Sequence, residues 1–160
     1  MIPGTVTSIG AKAFYNCAGL KRLNSETDGL FCIPAGVTEI NDYTFYMCSG
    51  TTEIELGANV TSVGKYAFYS CKQIGKFNSD VTGELIVPDG VTNIGDYAFA
   101  NTELITKVVV PDTVTEIGEG AFRGLNALEE ITLPFVGKVC DMGHLSAETV
   151  FGYIFGRVST

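Results

Sequence analysis

The chain has 160 residues, 46% of them hydrophobic, so it is long enough to bury the core of one domain. Its 18 acidic and 10 basic residues give a net charge of −8, which argues against nucleic acid, since phosphates demand clustered Lys and Arg. The same balance argues against simple attachment to anionic lipid, and no apolar run approaches the ~20 residues of a membrane-spanning helix.

Five copies of one short pattern follow each other from the beginning of the chain. Each copy opens with a Val-Thr pair, and a phenylalanine follows at a fixed offset. The steps between successive copies are 31, 23, 31 and 23 residues. Periods of this size indicate a solenoid or a propeller rather than a single globular core. The pairs begin at Val6, Val37, Val60, Val91 and Val114, and the phenylalanines are Phe14, Phe45, Phe68, Phe99 and Phe122.

The third copy shows which kind of coil is repeated. Its apolar residues lie mostly two to four positions apart and are interrupted by Gly57, Gly64 and Gly75. Because glycine in a helix interior costs about 0.5–1 kcal/mol relative to alanine, short strands joined by glycine turns fit better. A coil this short cannot bury its own apolar side, so the sequence predicts a ladder of stacked coils with the phenylalanines as its inner spine.

The two longer steps carry an eight-residue addition at the same place in the pattern. Residues 24–29 and 78–83 are polar turns that end in glycine, and an alternating strand follows each of them. In-register insertions project from one side of a solenoid, often the binding side. Asn24, Glu26 and Asp28 are faintly like a calcium loop, but a turn in which glycine supplies positive φ explains both additions.

Three of the five cysteines occupy one column of the ladder, which continues as Thr102 and Leu125. Stacked coils lie about 4.8 Å apart, so neighbouring thiols could form a disulfide. A buried free cysteine, which behaves as a small hydrophobe, is the favoured interpretation. No C-x-x-C pair exists, so we expect no metal. The predicted structural core contains Phe14, Phe45, Phe68, Phe99, Phe122, Cys17, Cys48 and Cys71.

These patterns resemble the BspA-like leucine-rich repeat of bacterial cell-surface proteins, over roughly residues 2–134. The resemblance is carried by Ile33-Pro34-x-x-Val37-Thr38-x-Ile40, by Val91-Thr92-x-Ile94-Gly95-Asp96-Tyr97-Ala98-Phe99, and by the Phe-x-x-Cys that ends at Cys17, Cys48 and Cys71. It implies a leucine-rich-repeat solenoid, a right-handed β/α superhelix that is mainly β, with short parallel strands and 3-10 or short helical turns.

We expect about five coils and a degenerate C-terminal coil. Residues 1–134 are assigned to the repeats, and residues 135–160 to a truncated variant repeat or C-terminal cap. The chain opens at Met1-Ile2-Pro3 inside a repeat, without a charged and apolar leader, so we interpret it as a domain excised from a longer protein. Both ends lack polar caps, which predicts end-to-end self-association of the fragment. The resemblance implies an extracellular location, at the cell surface or secreted.

Catalytic groups are not arranged for chemistry along this chain. The single histidine, His144, lies in the degenerate tail, far from any repeated serine or cysteine. Glu129 and Glu130 alternate sides of a strand, so they do not converge as an acid/base pair. The glycines mark turns at the repeat interval and form no phosphate-binding loop. We therefore predict no enzymatic activity and no cofactor.

Recognition of a partner is the remaining function. Constant inward residues beside variable outward ones are what a scaffold with an adaptable face requires. The resemblance implies a non-catalytic adhesion or protein-interaction module that binds a protein or extracellular-matrix ligand. Two alternatives stay open: solvating residues that pair across strands, as Arg22 and Glu53 could, and a structural spacer that displays another domain. The predicted partner-binding residues are Lys21, Arg22, Glu53, Lys76, Lys107, Glu129 and Glu130.

Overall fold

Ten short strands, all paired in parallel, wind into a solenoid in the computed structural model, which describes residues 2–134 and 153–156. Each strand is two or three residues long and ends at a turn. The expected solenoid with short parallel strands is therefore confirmed. The strands are β1 (Leu30–Cys32), β2 (Glu39–Ile40), β3 (Glu53–Glu55), β4 (Ser62–Val63), β5 (Lys76–Phe77), β6 (Glu84–Ile86), β7 (Asn93–Ile94), β8 (Lys107–Val109), β9 (Glu116–Ile117) and β10 (Glu130–Thr132).

The strands form two sheets on two different sides of the coils. A six-stranded sheet has the order β1-β3-β5-β6-β8-β10, and a four-stranded sheet has the order β2-β4-β7-β9. Ile9 and Leu23 of the first copy extend the two sheets by single bridges to Ile40 and Phe31. Inward side chains of both sheets are buried, except that Ile131 of the last strand is only partly buried, and outward side chains are half-buried or exposed.

The two insertions explain why the sheets are unequal. Strands β5 and β6 pair directly, with Lys76 beside Glu84 and Phe77 beside Leu85. The second insertion therefore returns the chain to the same sheet, one strand further along, without a visit to the other sides of the coil. Leu23 bridges Phe31 in the same manner across the first insertion. Each insertion thus widens the six-stranded sheet and leaves the four-stranded sheet unchanged, as a polar turn followed by a strand predicts.

The third side of each coil consists of turns that are hydrogen bonded from coil to coil. In the first copy the backbone N–H groups of Lys12, Phe14 and Asn16 donate to carbonyls of the second copy at 3.0, 2.9 and 2.7 Å. The same alternation recurs in each following copy. Alternate N–H groups in these turns are therefore paired with the next coil, and those between them, such as Ala13 and Tyr15, bond within their own turn.

Positive φ angles at two positions per copy prevent these turns from forming helices. An L-residue in the left-handed region is disfavoured, and the hydrogen bonds between coils compensate for it. The short helical turns of the expected fold are accordingly almost absent: within the described residues only Tyr153 and Ile154 are helical. The positive-φ pairs are Lys12 and Asn16, Tyr43 and Met47, Tyr66 and Ser70, Tyr97 and Asn101, and Gly120 and Gly124.

A column of stacked phenylalanine rings fills the centre of the solenoid. Phe45, Phe68, Phe99 and Phe122 are fully buried, and their ring centroids are 5.4, 5.6 and 5.8 Å apart along the column. Phe14 stacks on Phe45 at 5.2 Å but is only partly buried. Among the described residues, only the second copy packs against the first, so one side of the first copy is left uncovered. The predicted phenylalanine core is thus fully buried in the second to fifth copies and only partly buried in the first.

The cysteine column lies beside this spine. Cys48 and Cys71 are fully buried, and each thiol lies 3.0 Å from a backbone carbonyl of the preceding coil, to which it donates. Cys17 is only partly buried, for the same reason as Phe14. The four thiols in the described residues are free. Burial raises the pKa of Cys48 to about 11 and raises that of Cys71 further, so both stay protonated at neutral pH.

The fifth copy is covered on its turn side by residues 153–156. The N–H groups of Gly120 and Phe122 donate to the carbonyls of Tyr153 and Ile154 at 2.8 and 3.0 Å, and Ile154 is buried. Cys140, His144 and the remainder of residues 135–160 lie outside the described residues. The division at residue 134, the variant repeat or cap, and the number of coils therefore stay predictions.

Candidate interaction surfaces

One column of the six-stranded sheet carries charges of alternating sign on its outward face. Residues in register across five neighbouring strands are Glu53, Lys76, Glu84, Lys107 and Glu130, which we call the charge ladder. Its amino and carboxylate groups lie 3.5–3.8 Å apart at three contacts, from Lys76 to Glu53 and from Lys107 to both Glu84 and Glu130. Opposite charges on adjacent strands attract and like charges would repel, so the alternation stabilises this register.

Four of the seven predicted partner-binding residues lie in the charge ladder, and the other three lie near it. Lys21 and Arg22 precede Leu23 and are exposed, and Glu129 precedes β10 and is exposed. The suggested Arg22–Glu53 pair is wrong. Arg22 instead binds Asp28 at 3.1 Å and donates to the carbonyl of Glu26, because the first inserted turn folds back towards it.

The two inserted turns are built alike. Asn24 and Asn78 have positive φ, and their side-chain carbonyls accept hydrogen bonds from the backbone N–H groups of Ile2 and Leu56. These oxygens therefore hold each turn against a neighbouring segment of the solenoid. Within the described residues no group of three or more His, Cys, Asp or Glu side chains could hold a metal ion.

The second inserted turn borders an open groove of about 480 Å³ at the edge of the charge ladder. Val81, at the tip of the turn, is 56% exposed and supplies an apolar contact beside charged neighbours. Ser79 donates a 2.6 Å hydrogen bond to Glu84, and this bond, with Lys107 nearby, lowers the pKa of Glu84. The groove is lined by Val81, Thr82, Glu84, Thr106, Lys107, Glu129 and Glu130.

The groove unites three of the predicted residues with four that were not among the predicted binding residues. Lys107, Glu129 and Glu130 were predicted from their outward positions, but the expectation that the two glutamates lie on opposite sides of a strand is wrong, because Glu129 precedes β10 and both line this groove. Val81, Thr82 and Glu84 were missed, although the insertion that holds them was identified as a projection from the binding side, and Thr106 was recognised as an outward position but was not among the predicted binding residues. The signal that could have found them was the repeated spacing itself, which places residue 84 directly beside residue 76.

A second surface, on the turn side, consists of six stacked tyrosines that we call the tyrosine ladder. In one row Tyr43, Tyr66 and Tyr97 stack at 4.9 and 5.0 Å. In the other row the ring centroids are 4.7 and 5.0 Å apart, and the two rows are inclined to each other by 49–57°. This second row is Tyr15, Tyr46 and Tyr69.

The sequence interpretation missed the tyrosine ladder, although a signal was present. Tyrosine recurs two positions before and one position after the spine phenylalanine, as in Tyr43-Thr44-Phe45-Tyr46 and Tyr66-Ala67-Phe68-Tyr69. Whether these rings meet depends on the backbone of the turn. The positive φ at Tyr43, Tyr66 and Tyr97 accompanies their alignment into one row, and this could not be read from spacing alone.

Comparison with known proteins identifies the repeat. The family described as BspA type Leucine rich repeat region (6 copies) matches residues 1–79 and 76–141. None of the curated proteins matches the chain. No helix within residues 2–134 and 153–156 has the length and apolar character to cross a membrane.

Two solved structures are similar in fold. The T. pallidum leucine-rich repeat protein TpLRR is 28% identical, with a TM-score of 0.66, and the match covers 81% of this chain and 53% of that one. A leucine-rich repeat protein from Bacteroides ovatus is 35% identical, with a TM-score of 0.67, over 83% of this chain and 30% of that one. The chain therefore spans about half or less of the length of these relatives.

Proposed function

We propose that this chain, which belongs to the BspA-type leucine-rich-repeat family, is a non-catalytic module that binds an extracellular protein or matrix partner through its six-stranded sheet. Proteins of this repeat family generally serve as protein-interaction scaffolds and are generally not enzymes. The proposed site is the groove beside the second inserted turn, together with the charge ladder that leads away from it. Lys21 and Arg22 extend this surface towards the first inserted turn.

The groove is the observation that supports this proposal most. It combines an exposed apolar side chain, Val81, with two threonine hydroxyls and with charges of both signs. Protein interfaces have an apolar centre inside a polar rim, and this arrangement supplies both. A stable interface buries about 800 Å² on each partner, so a partner seated in the groove also covers much of the charge ladder.

The charge ladder would then determine which partner binds. Its two ammonium groups form ion pairs with its three carboxylates in the free chain, so a partner that disturbs these pairs has to offer a complementary row of charges in compensation. A partner with the wrong pattern would leave like charges face to face. Specificity, more than affinity, would come from this column.

Charge reversal at Lys76 and Lys107 tests the proposal. The isolated chain is screened against purified extracellular-matrix proteins, and each protein that binds is titrated with Lys76→Glu and Lys107→Glu, singly and together. We expect affinity to fall at least tenfold, about 1.4 kcal/mol, for the double variant. Reversal of both lysines places five carboxylates in register, so the double variant should unfold at a lower temperature, and its affinity is measured where circular dichroism shows that it is folded.

Lys72→Glu is the matched control. Lys72 carries the same charge and binds Glu103 at 2.7 Å, outside both sheets. Binding that survives Lys72→Glu and is lost in the double variant supports the sheet as the site. Equal loss in both would mean that net charge alone drives binding, and unchanged affinity in the double variant would move the site elsewhere.

A structural spacer is the alternative function, and the charge ladder also favours it. Because its charges are already paired with each other, the sheet can be solvated without any partner. In the same matrix screen a spacer would bind nothing.

We further propose an extracellular or cell-surface location for the protein. The family resemblance supports it, and the buried, protonated thiols of Cys48 and Cys71 are protected from the oxidants of that environment. Labelling of intact cells with an antibody against the chain tests it.

End-to-end pairing of the isolated chain is also proposed, since Phe14, Cys17 and Leu20 of the first copy are only partly covered. Light scattering that rises with concentration would support it.

A further inference from the structure

We propose that the tyrosine ladder is a second binding site, and that its ligand is a proline-rich segment in the polyproline II conformation with basic residues among its prolines. The site lies on the turn side of the solenoid, away from the six-stranded sheet, and does not depend on the function proposed for that sheet. The ligand would run parallel to the solenoid axis, along the two rows of rings.

Stacking within the rows determines which parts of the tyrosines a ligand can reach. Inside each row the rings lie nearly parallel, 1–14° apart, at centroid distances of 4.7–5.0 Å. The faces of the inner rings are therefore covered by their neighbours. Ring edges and hydroxyl groups remain, and they form a half-exposed surface of apolar edges with regularly spaced hydroxyls.

Covered ring faces favour a peptide over a sugar chain. A sugar is usually held by stacking on an open aromatic face, and an inner ring such as Tyr46 or Tyr66 offers none. The apolar edges and inclined rows instead suit the pyrrolidine rings of proline. Aromatic-lined surfaces are the recurrent recognition site for polyproline II segments in other domains.

The spacing of the rings matches the period of the ligand. Two steps of the row Tyr43, Tyr66 and Tyr97 span close to 10 Å. A polyproline II helix has three residues per turn and rises 3.1 Å per residue, so one turn advances about 9.3 Å. Every third residue of such a segment would thus meet an equivalent position on every second coil.

Hydrogen-bonding capacity is complementary as well. None of the six ladder hydroxyls has a hydrogen-bond partner among the residues that the structure describes. A polyproline II segment has no internal hydrogen bonds, and its carbonyl oxygens point outward. Tyrosine hydroxyls can donate to these carbonyls, in two rows that follow the backbone of the ligand.

Charge accounts for the basic residues in the proposed ligand. The chain has a net charge of −8, which attracts cations in general. Asp42 and Glu119 flank the ladder, are exposed, and form no salt bridge with any described residue. At one end of the row that begins at Tyr43, the chain's own Lys12 lies over the ring face of Tyr43, with its Nζ 5.4 Å from the centroid. The cations of a ligand would therefore meet Asp42 and Glu119 rather than this face.

A titration with three probes tests the inference. The 160-residue chain is labelled at its tyrosine rings for NMR and titrated with a synthetic peptide of Pro-Pro-Arg repeats. A Gly-Gly-Arg peptide of equal length has the same charge but a flexible backbone, and a soluble β-linked glucan represents sugar chains. We expect the Pro-Pro-Arg peptide to shift the ladder resonances saturably, and the two other probes to bind at least tenfold more weakly.

Tyr46→Phe combined with Tyr66→Phe is the variant that isolates the hydroxyls. It keeps the stacked rings, so the fold should persist, and it should weaken peptide binding roughly tenfold because two hydrogen bonds are lost. Ser8→Ala combined with Ser62→Ala removes two hydroxyls on the side of the four-stranded sheet and should leave peptide binding unchanged.

Four outcomes would overturn the inference. They are no binding of the Pro-Pro-Arg peptide, equal binding of the Gly-Gly-Arg peptide, preferential binding of the glucan, and undiminished binding to the double phenylalanine variant. None of these outcomes concerns Lys76 or Lys107, so each would leave the function proposed for the six-stranded sheet intact. Likewise, failure of the charge-reversal test at Lys76 and Lys107 would leave the tyrosine-ladder proposal intact.

Discussion

Phe68 is a central ring of the phenylalanine spine, so the stability of the neighbouring coils depends on it. Its ring stacks between Phe45 and Phe99 at 5.4 and 5.6 Å and meets the edge of Phe77 at 5.2 Å. Phe68→Ala removes all three contacts and leaves a cavity that neighbouring coils cannot close, so we expect a loss of about 3–5 kcal/mol in the free energy of unfolding. Thermal and urea unfolding of the variant measure it.

Tyr69→Ala, one position along the chain, is the comparison. Its ring is half-exposed and stacks only on the tyrosine ladder, where an aromatic pair contributes about 0.5–1.5 kcal/mol beyond its buried area. The melting temperature should therefore fall far less than with Phe68→Ala. Equal falls would mean that the phenylalanine spine is not the core.

Individual slots of the core tolerate chemically different residues when the backbone supplies a partner. Cys48 and Cys71 donate to carbonyls of the preceding coil, whereas Thr102, in the same column, donates to the carbonyl of Phe99 at 2.9 Å. Leu125 needs no partner. The sequence has threonine or leucine in place of cysteine in two copies. This variation is consistent with a column of buried side chains that pack in the core and have no chemical role.

At the scale of elements, the inserted turns show where glycine is obligatory. Gly83 has a φ of +91°, and the hydroxyl of Thr106 occupies the place of a Cβ atom. Gly83→Ala would both strain the backbone and displace Thr106, so we expect about 1–3 kcal/mol of destabilisation and a disturbed groove. Urea unfolding and the NMR shifts of Lys107 and Val81 measure the two effects.

Gly75→Ala is the matched control in the same segment. A Cβ at residue 75 meets only the Thr82 methyl group at 3.8 Å, an ordinary contact, and its φ is not in the left-handed region. The substitution should be neutral or stabilise the chain by up to about 1 kcal/mol, because it restricts the unfolded state. A Gly83→Ala variant as stable as Gly75→Ala would show that the turn differs from the one described.

Strands and turns differ in how far the sequence determines them. The inserted strands β1 and β6 were predictable, because a polar turn that ends in glycine and a following alternating run specify a local return to the same sheet. Pairing between side chains was not predictable, because the fold of the inserted turn brings Asp28 to Arg22, whereas Glu53 pairs with Lys76. The tyrosine ladder was missed because helical turns were expected where left-handed residues turn the chain.

At the scale of the whole molecule, each coil is bound to its neighbours on three sides. Two sides are sheets and the third is the hydrogen-bonded turn side, and the hydroxyls of Thr61, Thr92 and Thr115 add bonds of 3.1–3.2 Å to the preceding threonine carbonyls. All of these contacts join adjacent coils, so stability is a sum over neighbours. The repeated spacing predicted this architecture, since a lone coil of this length has no core of its own.

The two proposed binding surfaces lie on different sides of the solenoid. The charge ladder and groove lie on the six-stranded sheet, and the tyrosine ladder lies on the turn side, so a change on one should leave the other intact. Substitutions more than about 7–10 Å apart without shared partners usually act independently. The two proposed sites can therefore be tested separately on one chain.

Amide hydrogen exchange tests most directly whether neighbouring coils stabilise each other on the turn side. The N–H groups of Phe68 and Ser70 lie outside any strand and donate to the next coil at 2.8 Å, whereas the N–H of Tyr15, in the half-covered first coil, bonds only to Lys12 of its own turn. We predict that Phe68 and Ser70 exchange as slowly as amides of the central strands, and that Tyr15 exchanges quickly. Rapid exchange at Phe68 and Ser70, as in an ordinary surface turn, would contradict the account.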